Sequence, residues 1–256
     1  MISSLIVIIL GIGLSPLSCI MLWNRYISFT DSLVHACVFG GWIHYIFNLH
    51  LAISCGIACF IVFIISYILD NNSQLNSGNK GNILYLSAMS LSAIAIAFKI
   101  DYIGLLFGDI LFIDENLIFI IILFCIFVFL YIKIFYKQII LISLSKEFAN
   151  SLKIPVNFVE NTSLIIIIAG IILSIYTIGG GFFVIASMMI PAMVANNLSK
   201  TPIQMILNAS VISIIVNITS ILISENYDIA FAPITIIIGF IFYIISNLIN
   251  KLFIAN

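Results

Sequence analysis

The sequence predicts an all-α, polytopic membrane protein with about eight or nine transmembrane helices. Of its 256 residues, 63% are hydrophobic and only 7% are charged, whereas about 25% of the residues of a soluble domain carry charge. Apolar runs close to the roughly 20 residues that cross a bilayer as a helix recur along the whole chain. A net charge of −1 gives no indication of nucleic-acid binding.

Nine apolar runs between polar residues are the candidate spans. They lie near 2–23, 32–49, 51–69, 82–98, 116–136, 161–178, 182–197, 204–223 and 230–250. No basic residue precedes the first run and no cleavage site stands out after it, so we interpret it as a span rather than a signal peptide. The run at 101–113 is too short to cross a bilayer, and we interpret it as re-entrant or as part of an irregular span.

A break is predicted where two of these runs meet without a polar loop. Gly179, Gly180 and Gly181 separate the runs, and Pro191 interrupts the second of them. At membrane depth, such breaks persist only where protein or a water-filled cavity satisfies the freed backbone groups. We therefore expect these four residues to shape a broken helix and a gate.

The distribution of charge predicts which side of the membrane each connection faces. Lysines crowd the segment between the fifth and sixth runs, at Lys133, Lys137, Lys146 and Lys153. By the positive-inside rule, residues 137–160 are then cytoplasmic. Counting back through the spans places the N-terminus outside, and the charge bias predicts a multi-pass protein of the inner (cytoplasmic) membrane.

The same polar segment contains a predicted amphipathic helix. Its apolar residues recur at helical spacing, at Leu141, Leu144, Phe148 and Leu152. Ser145 is a suitable N-cap, and Pro155 is expected to end the helix. The pattern fits two placements equally well: docking on a soluble partner, or lying flat on the membrane surface.

Asp31 and His35 are the candidate functional pair of the first half of the chain. Four residues apart, they share one face of a helix, in a sequence of which only 7% is charged. An ionisable residue in a transmembrane helix costs about 2.5–3.5 kcal/mol on insertion scales, so a cation pathway is a reason to retain one. In the alternative interpretation, Thr30 or Asp31 starts the helix and His35 hydrogen-bonds to a neighbouring helix.

The other polar side chains and the cysteines give weaker indications of function. Asp109 either lines a pathway or caps the outer end of a helix, and His44 is interpreted mainly as a packing or aromatic-belt residue. The five cysteines all lie in apolar segments, and none completes a Cys-x-x-Cys or Cys/His cluster. We interpret the cysteines as small packing residues.

Three stretches in order carry a family resemblance. Residues 14–36 contain a Pro-Leu pair, an aromatic and basic end to the first span, and the pattern Asp-x-x-x-His-Ala. Residues 102–111 contain Leu-Phe-Gly-Asp-Ile-Leu, and residues 181–205 contain Ile-Pro-Ala followed by a polar turn. Together they resemble the membrane permease subunits of zinc/manganese ABC importers, and most closely the zinc-uptake permeases.

This resemblance implies a single transmembrane permease domain, 1–256, that is not itself an enzyme. Two copies would line one path, two cytoplasmic ATPase subunits would supply ATP hydrolysis, and an external metal-binding protein would deliver the ion. The chain has no phosphate-binding Gly-x-x-x-x-Gly-Lys-(Ser/Thr) loop of its own. The implied cargo is a divalent transition metal, zinc in preference to manganese, moved by alternating access.

The resemblance also implies roles for particular residues. Asp31, His35 and Asp109 would meet the metal. A coupling segment near 141–156 would dock on the ATPase, with candidate contacts at Leu144, Phe148, Ala149 and Leu152. The chain departs from the family at two points: residues 84–92 lack the histidine that zinc-type members often carry, and Lys153 stands where a glycine is common.

Two other classes of membrane protein compete with this interpretation. A gradient-driven secondary carrier would need no ATPase and would usually contain several buried carboxylates. An intramembrane aspartyl protease is disfavoured because Leu106 replaces the first glycine of a Gly-x-Gly-Asp site. The only Tyr-Asp pair, Tyr227-Asp228, lies in a predicted loop.

Overall fold

The computed structural model describes residues 2–25, 27–72, 77–97, 107, 117–178 and 180–254. Within those ranges the chain forms helices and no β-strand, which confirms the all-α prediction. The ten helices are α1 (Ile2–Trp23), α2 (Ile27–Phe47), α3 (Leu51–Asn72), α4 (Ser77–Ala97), α5 (Ile118–Leu144), α6 (Lys146–Ser151), α7 (Val156–Ile178), α8 (Gly181–Leu198), α9 (Pro202–Tyr227) and α10 (Phe231–Ile254).

The nine longer helices coincide with the nine predicted runs. Six of them, α1, α5, α7, α8, α9 and α10, are long and apolar enough to cross a membrane. The helices α3 and α4 contain shorter apolar stretches, Leu51–Ile65 and Tyr85–Ala95. The predicted number of eight or nine spans is therefore approximate. The short run at 101–113 lies outside the described residues, apart from Phe107.

Several helices extend five or more residues beyond their predicted ends, and α2 and α5 are two of them. The helix α2 begins at Ile27 rather than near 32, and α5 continues to Leu144 rather than ending near 136. Both extensions contain polar residues, which a hydropathy pattern interprets as connections. A helix continues through such residues because its backbone hydrogen bonds remain satisfied, and a lysine near its end extends its ammonium group towards the membrane surface.

The prediction that Pro191 interrupts a helix is wrong. Pro191 is buried inside α8, which is continuous from Gly181 to Leu198. Membrane helices tolerate an internal proline because neighbouring groups satisfy the backbone that it frees. The break between the two runs lies at Gly180, which separates α7 from α8.

The helices pack in two groups, which are joined by α7 and by a direct contact between α2 and α8. The helix α2 packs on α3 and α4, while α1 packs on α5, α8 and α9, and α10 packs on α8. The helix α7 contacts members of both groups, including α1, α2, α3 and α5. The largest fully buried side chains include Leu10, Leu14 and Phe183, which lie in the second group.

The contact between α2 and α3 is unusually close. A Cβ atom added at Gly40 of α2 would lie 2.7 Å from Cys55 Cα and 2.9 Å from Cys55 N in α3. Such separations are closer than real carbon atoms tolerate, so only glycine fits here. Because α2 also carries Asp31 and His35, this contact fixes their helix against its neighbour.

Candidate functional site

The structure brings Asp31 and His35 together on one face of α2, as the spacing predicts. His35 Nε2 lies 3.8 Å from Asp31 Oδ1. The histidine side chain is 12% exposed and the aspartate side chain 33% exposed. The imidazole is thus held within the protein, while the carboxylate faces outward from this single copy of the chain.

The surroundings of His35 leave one ring nitrogen without a hydrogen bond. The ring packs edge-on against Tyr85 of α4, with 5.8 Å between the ring centroids. Nδ1 is buried, and no group in the described part of the chain hydrogen-bonds to it. A buried unsatisfied nitrogen costs about 1–3 kcal/mol, and its presence at a candidate site calls for a functional reason.

The helix-capping interpretation of this region is wrong. The helix α2 begins at Ile27, so Thr30 and Asp31 lie inside the helix rather than at its N-cap. The Thr30 hydroxyl donates to Met21 Sδ at 3.1 Å instead of bonding to the backbone at the helix start. Within the described residues, Nδ1 of His35 makes no hydrogen bond to a neighbouring helix, and the ring of His35 contacts α4 through the ring of Tyr85.

The geometry of the pair is close to that of two ligands on one ion. Two donor atoms, each about 2.1 Å from a tetrahedral Zn²⁺ ion, lie about 3.4 Å apart. The observed 3.8 Å between His35 Nε2 and Asp31 Oδ1 needs only a small side-chain adjustment. No third histidine, cysteine, aspartate or glutamate joins them among the residues that the structure describes. The described residues of one copy therefore supply two of the four ligands of a tetrahedral site.

Asp109, the third predicted metal residue, lies outside the described residues. Phe107, two positions earlier, is described, and its ring packs edge-on against Phe182 of α8 at 5.3 Å between centroids. A Cβ atom added at Gly180 would lie 3.3 Å from the Phe107 carbonyl oxygen. This part of the chain thus contacts the break between α7 and α8.

The predicted gating residues are distributed along that break. Gly180 connects α7 and α8, and Gly181 is the first residue of α8; both are buried. Gly179 lies outside the described residues, and Pro191 is more than two turns further along α8. The described glycines thus lie at the helix break, whereas the proline does not.

The remaining candidates of the first half behave as packing or surface residues. His44 is exposed near the end of α2, and its Nδ1 contacts the Leu49 carbonyl oxygen. The five cysteines are free thiols with buried side chains, as the packing interpretation predicts. Cys37 Sγ lies 3.6 Å from Cys59 Sγ, in the contact between α2 and α3.

The predicted amphipathic helix is divided in two by Ser145. Leu141 and Leu144 belong to the last turn of α5, and the separate helix α6 has only six residues, Lys146–Ser151. Ser145 is extended, and its hydroxyl oxygen accepts a hydrogen bond from the Phe148 backbone N–H at 3.2 Å. The N-cap prediction is confirmed.

The end of α6 explains the position where Lys153 replaces a common glycine. Lys153 has a φ of 57°, in the left-handed region. Its N–H donates to the Asn150 carbonyl at 2.9 Å, and the Ile154 N–H donates to the Ala149 carbonyl at 3.2 Å. This pair of bonds is a Schellman motif, which usually places glycine at this position. Pro155 follows the motif and is therefore not the residue that ends the helix.

Three of the four candidate coupling residues form an exposed apolar surface. Leu144, Phe148 and Leu152 are 76%, 54% and 51% exposed. Ala149 differs, because its side chain is fully buried and holds α6 onto the rest of the chain. We call Leu144, Phe148 and Leu152 the coupling surface, and Ala149 is not part of it.

With this geometry established, comparison with known proteins decides the family. Residues 1–250 match the ABC 3 transport family. The chain belongs to this family. It is a membrane permease, and the prediction of permease identity from three short motifs is confirmed.

Named relatives of the permease include transporters of two metals. It is 24% identical over 243 residues to the high-affinity zinc uptake system membrane protein ZnuB of Haemophilus influenzae, covering 93% of each chain. It is also 24% identical over 245 residues to the manganese import system permease protein ScaB of Streptococcus gordonii, covering 93% of this chain and 87% of the relative.

Solved structures show the same fold. PsaBC from Streptococcus pneumoniae, solved in complex with a Fab, superposes with a TM-score of 0.82 at 22% identity, covering 95% of this permease and 89% of that chain. A putative metal-chelate type ABC transporter in an inward-facing conformation gives a TM-score of 0.69 at 16% identity, covering 96% and 84%.

The sequence analysis did not identify two residues that contact the candidate sites of the permease. Tyr85 lies within residues 84–92, the segment in which the family resemblance leads us to expect a histidine. Its ring contacts the ring of His35. Glu160 of α7 pairs with Lys146, whose Nζ lies 2.7 Å and 2.9 Å from the two carboxylate oxygens. Glu160 could have been identified from the sequence, because it is a single acidic residue near the start of an otherwise apolar helix.

Proposed function

We propose that this permease carries a divalent transition-metal ion across the membrane by way of Asp31 and His35, with Asp109 as a third contact. The observation that carries the proposal is the pairing of a carboxylate and a largely buried imidazole at near-ligand distance on one face of α2. Both side chains are ligands for Zn²⁺ and Mn²⁺. Zinc is favoured because imidazole suits it better than it suits manganese.

We further propose that two copies of the permease complete the site. One copy supplies two ligands in its described residues, with the Asp31 carboxylate partly exposed. A second copy related by two-fold symmetry would bring the same pair, so the described residues of two copies would supply four ligands, the number that Zn²⁺ prefers. Asp109 would then contact the ion outside this set of four. Because the pair of each copy is an incomplete ligand set, the ion would be fully coordinated only while both pairs face it, which suits an ion that must also be released.

The energy for transport comes, on this proposal, from ABC ATPase subunits that bind the coupling surface. Leu144, Phe148 and Leu152 expose large apolar side chains at the polar connection between α5 and α7. An external metal-binding protein would deliver the ion. ATP binding and hydrolysis in the partner would move the short helix α6 and turn the Asp31/His35 region towards alternate sides of the membrane.

The test is transport in a defined system. Proteoliposomes containing the permease, its cognate ATPase and its metal-binding protein are expected to take up radiolabelled Zn²⁺ in the presence of ATP, and to take up Mn²⁺ more slowly. Liposomes loaded with a non-hydrolysable ATP analogue are the control. Uptake that continues without the ATPase would contradict the proposal and favour a gradient-driven carrier.

A change in the coupling surface is expected to weaken ATPase binding. Phe148→Asp places a charge where the proposal buries an aromatic ring, so co-purification of the ATPase should fall at least about tenfold, as expected for an interface anchor. The measurement is the ATPase to permease ratio after affinity purification in detergent. Leu198→Asp is the matched control, because Leu198 is also exposed and apolar but lies outside the coupling surface.

Detergent removes the membrane, so this experiment also distinguishes the two predicted placements of the segment. If the coupling surface only lies on lipid, Phe148→Asp and Leu198→Asp will retain equal amounts of ATPase. That result would remove Phe148 from the proposed interface.

A further inference from the structure

An apolar groove lies on the outer face of α1 and α5. It encloses about 400 Å³ and is lined by Ile9, Ile122, Cys125, Ile126, Phe129, Leu130 and Lys133. The two helices meet at its floor, where Cys125 Sγ lies 3.3 Å from the Ile9 carbonyl oxygen. Ile126 and Leu130, on its wall, are each 51% exposed.

The charges beside the groove are all positive and all lie at one end. The sequences of α1 and α5 contain only two charged residues, Lys133 and Lys137. Both side chains are exposed, they are one turn apart on α5, and neither forms an ion pair within the described part of the chain. Two adjacent, unpaired ammonium groups repel each other, and an anion between them would relieve that repulsion.

The length of the groove matches one leaflet of a bilayer. From Ile122 to Lys133 the helix rises about 17 Å at 1.5 Å per residue. Half of the roughly 30 Å hydrocarbon core is about 15 Å. A lipid whose acyl chain lies along the groove therefore has its headgroup at the level of Lys133.

We propose that this groove, with Lys133 and Lys137 at its end, binds an anionic phospholipid. Its acyl chain fills the apolar groove, and its phosphate accepts charge-assisted hydrogen bonds from the two ammonium groups. The lipid belongs to the leaflet that faces the lysine-rich connection, where anionic headgroups attract basic side chains. This site is separate from the proposed metal path on α2.

The test measures lipid binding to the full permease in a mild detergent by native mass spectrometry. Phosphatidylglycerol and phosphatidylcholine with identical acyl chains are added in increasing amounts. The expected result is one phosphatidylglycerol molecule that an excess of phosphatidylcholine does not displace. Equal binding of the two lipids would overturn the proposal.

Two pairs of variants locate the lipid. Lys133→Gln should weaken phosphatidylglycerol binding about tenfold, the effect of losing one hydrogen bond between charged groups. Lys133→Arg, which keeps the positive charge, should bind the lipid as the original permease does. Lys251→Gln, which removes an exposed lysine from α10, should have no effect. Ile126→Trp should displace the bound lipid by filling the groove, and Ile237→Trp, at an exposed site on α10, should not.

The opposite results reject the site. If Lys133→Gln behaves like Lys251→Gln, the headgroup does not bind at Lys133. A permease that binds no phosphatidylglycerol and cross-links to a second copy through Ile126→Cys would assign the groove to a contact between copies instead.

Discussion

Asp31→Asn and His35→Gln are each expected to reduce ATP-driven Zn²⁺ uptake by about 100-fold. Changes to groups that merely orient metal ligands already cost 10- to 100-fold, and each of these substitutions removes one of the two ligands that the described residues of one copy supply. Asn has the size and shape of Asp, so Asp31→Asn leaves the contact of His35 with Tyr85 in place, whereas His35→Gln also removes that ring contact. The measurement is initial uptake of radiolabelled Zn²⁺ into proteoliposomes.

His50→Gln is the matched control for this experiment. His50 is exposed between α2 and α3, and its ring contacts Tyr176 rather than Asp31 or His35. It should leave uptake within about twofold of the original permease, since surface substitutions usually change energies by no more than about 0.5 kcal/mol. If Asp31→Asn and His35→Gln match this control while the folded permease remains intact, the pair has a packing role and the metal path lies elsewhere.

Gly40→Ala is expected to destabilise the permease by about 1–3 kcal/mol or more, as overpacking of a close contact does. The added methyl group would lie 2.7 Å from Cys55 Cα. Because this neighbour is backbone rather than a flexible side chain, α2 and α3 would have to separate. The measurement is the midpoint of thermal unfolding in detergent, together with the yield of monodisperse protein.

Gly56→Ala is a control on the same helix pair, and it is expected not to lower the stability of the permease. A Cβ atom at Gly56 would meet only Ile172 Cδ1, at an ordinary distance of 4.0 Å. Alanine is preferred to glycine in a helix by up to about 1 kcal/mol, so this variant should unfold at the same temperature as the original chain or higher. Equal midpoints for Gly40→Ala and Gly56→Ala would contradict the close contact between α2 and α3.

Most of the helices could be predicted from the sequence because the bilayer requires long apolar runs. Their ends could not be predicted in the same way. Hydropathy falls at Ser28 and Thr30, yet the backbone of α2 continues its hydrogen bonding from Ile27. Pro191 illustrates the same limitation, since the surrounding helices accommodate a residue that would break an isolated helix.

The candidate site was predictable only where it depends on local spacing. The positions of Asp31 and His35 on one helix face follow from their separation of four residues. The contact of His35 with Tyr85 and that of Gly40 with Cys55 join different helices, so packing decides them. The division of the amphipathic segment at Ser145 also escaped the pattern, because one extended residue hardly alters the spacing of Leu144 and Phe148.

The ion pair between Lys146 and Glu160 has a mechanical consequence. It joins the first residue of α6 to the first turns of α7, with Glu160 only 14% exposed. An ion pair with one exposed partner contributes about 1 kcal/mol or less to stability. Its main effect is to orient α6 relative to the first turns of α7. The helix α7 is an uninterrupted rod of 23 residues, about 34 Å long at 1.5 Å per residue. If the ATPase moves α6, as proposed above, α7 would carry that displacement to its far end, beside Gly180 and Phe107.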